Sequence, residues 1–157
     1  MMTSDQRRFV DDMAALLLPW GMQPGAANLY AYLLLCDAPV TLDEIAGALG
    51  MAKSSSSVAA RALEQFGLAR RHAEAGTKRV RYSASESYSG FLANQARLLD
   101  DLGRLAETRA RGVAEGDTLR RLRYLAAFHR KMAATITGRI AELADEFLRD
   151  GPDDELR

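Results

Sequence analysis

The sequence predicts a mainly α-helical chain with a small β-hairpin wing and long helices towards its C-terminal end. Three observations predict it. Apolar residues recur every three or four positions through most of the chain, the period of an amphipathic helix. Residues 68–82, LARRHAEAGTKRVRY, instead alternate on either side of a glycine-containing turn, as a hairpin does. From Leu119 to Phe147 an apolar stripe runs without a break, longer than a small domain needs for its own core.

In order along the chain, Thr3 or Ser4 caps a first helix whose apolar face is Phe9, Met13, Leu16 and Leu17, with Asp11 and Asp12 outward. Pro19-Trp20-Gly21 ends it. Pro24-Gly25 opens a second helix, residues 26–36, apolar on most sides through Leu29, Tyr30, Leu33 and Leu34. Asp37-Ala38-Pro39 breaks that helix, and the proline holds Ala38 extended. Thr41 and Glu44 form a capping box for a third helix carrying Leu42, Ile45, Ala46 and Leu49, which Gly50 stops. A fourth helix follows Met51 and Ala52, with Ser56, Ala59, Ala60 and Leu63 as its inner face and Gly67 at its end. Ser83 and Glu86 read as a second capping box, opening a long helix to about Arg111 with Phe91, Leu92, Leu98, Leu99, Leu102 and Leu105 as its stripe. Gly112 and Gly116 bracket a break. Asp117 caps the last helix, whose stripe is Leu119, Leu122, Ala126, His129, Ala133, Ile136, Ile140, Leu143 and Phe147. Residues 150–157 form an acidic tail.

Two short helices across a tight turn are the helix-turn-helix arrangement, whose second helix can enter a DNA major groove. The outward chemistry of residues 53–61 suits that role. Lys53, Ser54, Ser55, Ser57 and Arg61 offer cations and hydroxyls to phosphates and base edges. Four consecutive serines are poor helix filling, so packing alone does not account for them. The hairpin behind this helix occupies the place of a wing. Residues 53–81 hold seven cations against two carboxylates, a net charge of +5 in a chain whose total is zero. That asymmetry is an electrostatic footprint for a polyanion.

The run LDEIAGALGMAKSSSSVAARALEQFGLARR, followed by Gly-Thr-Lys-Arg and a tyrosine, resembles the winged helix-turn-helix regulators of the MarR superfamily, closest to the GbsR-like branch. The likeness covers about residues 10–110. Lys53, Ser57, Leu63, Glu64, Gly67 and Leu68 match the family pattern. Ala52, Ser56 and Val58 depart from it, standing where that pattern has a capping serine, a buried valine and an exposed arginine. The resemblance implies a dimeric DNA-binding transcriptional repressor on an inverted repeat, modulated by a small-molecule effector. For the GbsR-like branch it implies an osmolyte-related ligand such as choline, with Trp20, Tyr30 and Tyr32 as candidate binding residues.

On this reading 1–157 is a single MarR-like chain. Residues 24–83 form the winged helix-turn-helix DNA-binding region, and 1–20 with 84–149 the helical dimerisation region. Thr41, Lys53, Ser54, Ser55, Ser57, Arg61, Lys78, Arg79 and Arg81 are the expected DNA-binding residues. The terminal stripe is expected to bury against a second copy; a helical hairpin within one chain is the alternative. A winged-helix module binding an acidic protein is the alternative function.

Other chemistries find little support. One cysteine excludes an internal disulfide, and two histidines in separate elements give no metal-ligand spacing. No catalytic constellation or cofactor motif stands out, so no enzyme activity and no cofactor is expected. His72 lies in the basic wing, His129 on the last stripe, and Cys36 at the end of an apolar helix. No apolar run approaches the ~20 residues of a membrane span. The N-terminus has no signal-peptide pattern, and a cytoplasmic protein is expected.

Overall fold

The computed structural model describes residues 2–73, 76–77, 79–85 and 89–150, with backbone alone for 147–150. Lys78, Glu86 and residues 151–157 of the acidic tail lie outside the described residues. The chain divides into two compact units, 1–88 and 89–157.

The first unit begins with α1, Ser4–Leu17, where Thr3 accepts from the Gln6 N–H and the Gln6 side chain returns the bond to the Thr3 N–H. The face α1 buries is only partly the expected one. Val10 and Ala14 are buried, while Phe9 and Leu16 are exposed. Small Val10 and Ala14 let α2, Pro24–Leu33, lie close; Met13 and Leu17, from the expected face, are half-buried beside them, and only Phe9 and Leu16 are left outside. Helix α2 carries the core, with Ala26, Ala27, Leu29, Tyr30, Ala31 and Leu33 all buried. It stops at Leu33 rather than at Cys36, because the amides of Leu35 and Cys36 turn to carbonyls only three residues back.

The helix-turn-helix is α3, Leu42–Leu49, and α4, Lys53–Gln65. The Thr41–Glu44 capping box is present, and Gly50 closes α3 at φ 65°. That left-handed conformation is why a glycine stands there. Ile45, Ala59, Ala60 and Leu63 meet in the core under α2. Ser56 is fully buried with them, its hydroxyl donating to the Ala52 carbonyl one turn back. One of the four serines is thus explained by packing after all.

The hairpin is β2, Ala69–Ala73, with β3, Val80–Ala84. A third, unexpected strand, β1, Val40–Thr41, pairs antiparallel with β3 and gives the order β1-β3-β2. The register sets Arg71 opposite Tyr82 and His72 opposite Arg81. Tyr82 is buried against the helices. Ser83 does not cap a helix: it stays in β3 opposite Arg70, and its hydroxyl pairs with His72 Nε2 at 2.9 Å.

The second unit is an antiparallel pair, α5, Ser89–Val113, and α6, Gly116–Asp150. Helix α6 starts at Gly116, two residues earlier than an Asp117 cap requires; Asp117 sits in the first turn and pairs with Arg120 at 2.9 Å. The stripe from Leu119 to Ile140 is buried or half-buried against α5 of the same chain. Its spacing alternates three and four residues, the pattern of a coiled-coil seam. The α5 side of that seam is Ala96, Leu99, Gly103, Ala106 and Ala110. Of the expected stripe, Phe91 is buried and Leu99 half-buried, while Leu92, Leu98, Leu102 and Leu105 are exposed. Small residues at 96, 103, 110, 126 and 133 explain the exchange, because they let the two backbones approach closely. A Cβ built on Gly103 would lie 3.0 Å from the Ala126 carbonyl oxygen and 2.5 Å from Arg130 Cγ. Arg130 spans the pair, bonding Glu107 at 2.6 Å and lying 3.8 Å from Asp100.

Candidate nucleic-acid interface

Burying Ser56, Ala59, Ala60 and Leu63 fixes what α4 turns outward. At 100° per residue, Ser54, Val58, Arg61 and Gln65 stand opposite that face, with Ser57 on one flank and Ser55 on the other. Ser54, Ser55, Val58, Arg61 and Gln65 are exposed, and Ser57 is half-buried. Arg61 Nε donates to the Ser57 carbonyl at 3.3 Å, which lays the guanidinium along the helix surface. Ala52 at the N-cap supplies no side-chain hydrogen bond, so the first amides of α4 have no capping partner. Uncapped amides at the positive end of a helix are ready donors to an anion.

The other expected residues divide into those that face solvent and those already engaged. Lys53 is exposed but pairs with Asp43 at 2.8 Å. Arg79 is exposed, its amide donating to Thr77 Oγ1 at 3.2 Å. Arg70 and Arg71, which were not among the expected residues, are exposed on the edge strand β2. Edge position and charge were legible in the RRH run, and charge also discourages strand-to-strand aggregation there.

Thr41 and Arg81 play structural parts. Thr41 donates its N–H and its hydroxyl to Glu44 Oε2, both at 2.7 Å, and accepts the Glu44 N–H. Arg81 donates to the Pro39 carbonyl at 3.2 Å and lies 3.9 Å from the same Glu44 oxygen. Together they tie β1, β3 and the start of α3. The Thr41 hydrogen bonds, with Arg81 nearby, hold the Glu44 carboxyl below the usual carboxylate range.

The three aromatic candidates for a ligand site do not converge. Tyr30 is buried in the α2 core, Tyr32 is half-buried on another side of the same helix, and Trp20 is exposed. Burial, with Cys36 beside it, pushes the Tyr32 phenol up to about 12. The Cys36 thiol donates to the Tyr32 carbonyl at 3.3 Å, and burial pushes it up too, away from the reactive thiolate. His129 donates from Nδ1 to the Leu125 carbonyl of its own helix and meets Phe128 edge-on. Among the described residues no group of histidine, cysteine and acidic side chains could hold a metal ion, and no helix is long and apolar enough to cross a membrane.

No family model matches the chain, and no curated protein matches it in sequence. Among solved structures it is similar to one described as a transcriptional regulator, with a TM-score of 0.80 and 27% identity over 90% of this chain and 99% of that one. The fold is a winged helix-turn-helix joined to long helices.

Proposed function

We propose that the chain is a DNA-binding transcriptional regulator that places α4 in a major groove and the β2–β3 wing on the flanking backbone. The observation that carries this reading is the outer face of α4. Ser54, Ser55, Val58 and Arg61 project from a helix whose N-terminus lacks a cap, beside a hairpin rich in exposed arginine. The similarity to a solved transcriptional regulator supports it over nearly the whole chain. Within this reading the MarR superfamily, and its GbsR-like branch, are the best match of motif.

Self-association is proposed on grounds other than the terminal stripe, which α5 covers from Leu119 to Ile140. Leu98, Leu102 and Leu105 on α5, and Tyr124, Leu125, Phe128 and Met132 on α6, are exposed, as are Phe9, Leu16 and Trp20 of the first unit. Apolar rows of this extent are what a homodimer would bury. A two-fold dimer of winged units reads an inverted repeat, which suits a repressor. Control by a small-molecule effector follows from the family resemblance, and the aromatic residues do not by themselves build its pocket.

The test is a duplex titration across salt concentration. Wild type should show affinity falling linearly with salt on logarithmic axes, and Arg79→Ala should lower the slope by about one on specific and random duplexes alike. No duplex binding at about 50 mM salt would reject the reading and leave the basic face to an acidic protein partner.

A further inference from the structure

Val58 is the residue on α4 that the electrostatic account leaves over. It is 61% exposed, at the centre of the outward face and one turn beyond Ser54. A β-branched side chain is a mediocre helix former, and in water it gains nothing from this position. Its neighbours on that face are serines and one arginine lying along the helix, and most of the valine side chain is left to solvent. The serines are short, which leaves the valine methyls as the part of the mid-helix surface that stands proud.

The major groove offers one kind of apolar group to meet such a side chain, the C5 methyl of thymine. A helix lying in that groove aims its central outward residues at base edges. We propose that Val58 reads a thymine methyl, and so selects an A·T pair at a fixed position in each half-site. This rests on the DNA-binding reading above. It gives α4 an apolar specificity contact that needs no hydrogen bond and barely changes with salt. Arg61 then supplies the polar contact one turn further on.

The experiment replaces each thymine of a selected duplex in turn by deoxyuridine, which removes the C5 methyl and leaves the pairing edge intact. Wild type should lose affinity about fourfold at one thymine per half-site, the size expected for burying one methyl group. Val58→Ala should bind the unmodified duplex more weakly and show no difference between thymine and deoxyuridine there. Val58→Thr, which keeps one methyl, should retain part of the discrimination, and Arg61→Ala should retain all of it. Identical deoxyuridine profiles for wild type and Val58→Ala, on duplexes both bind, would overturn the assignment while leaving DNA binding intact. Failure of wild type to bind any duplex would overturn the DNA-binding reading and this inference with it. Because Val58 is exposed, the variants should keep the wild-type circular dichroism spectrum.

Discussion

Glu44 collects two hydrogen bonds from Thr41 and stands near Arg81, and its carboxyl is held low for that reason. The stabilisation it gives is complete above the ordinary glutamate value of about 4.3 and is lost as pH falls through the lower folded value. Acid unfolding followed by circular dichroism should show this. Glu44→Gln should be less stable at neutral pH and should lose less on acidification; superimposable acid profiles would place the titrating group elsewhere. Lys53 is the opposite case, a cation whose charge is already spent on Asp43. Asp43→Asn should free it, tighten duplex binding at low salt and steepen the salt dependence by about one phosphate contact. Unchanged binding would mean that Lys53 does not reach the backbone. Arg61→Ala should cost about 1–3 kcal/mol on a selected operator and much less on random DNA. Equal losses on both would make Arg61 a phosphate contact.

Capping and burial were legible in the sequence for the helix-turn-helix, because Thr41, Glu44, Gly50 and the 56/59/60/63 face each carry a local signal. The α5–α6 seam was legible on one side only. Large residues mark the α6 side, but Ala96, Gly103 and Ala110 mark the α5 side by what they lack. A search for leucines therefore finds Leu99 of the seam but otherwise picks the exposed row. The Arg81 bond to Pro39 was hidden for another reason: it joins residues 42 apart through a strand of two residues, too short to show alternation. The glycines make the packing difference measurable. Gly47 in α3 has open space where its Cβ would go, so Gly47→Ala should stabilise by about 0.5–1 kcal/mol through helix propensity. Gly103→Val meets backbone, and should destabilise by about 1–3 kcal/mol. Thermal unfolding of both variants should move in opposite directions; an unchanged or raised midpoint for Gly103→Val would mean that the two helices part freely.

At the scale of the whole molecule, the exposed apolar rows bear on oligomeric state. Leu102→Glu should weaken self-association without unfolding the α5–α6 pair, whereas Ile136→Asp and Ile140→Asp, in the seam, should unfold it. Light scattering paired with circular dichroism separates the two outcomes. A wild-type monomer at micromolar concentration would reject the dimer. If the dimer stands, a two-fold reader should protect half-sites about 10 bp apart or a multiple of that, and footprinting on a selected duplex checks the spacing.

The alanine at the N-cap of α4 has a consequence for exchange kinetics. A helix start with no side-chain partner opens more often than a capped one, so the amides of Ser54 and Ser55 should exchange with solvent early in the native state. A phosphate arriving there would close that turn, and part of the binding free energy would go into ordering it. Hydrogen exchange should therefore slow at Ser54 and Ser55 on a duplex far more than at Leu63. Ala52→Ser, which restores a cap worth about 1 kcal/mol, should take over much of that protection before any DNA is added.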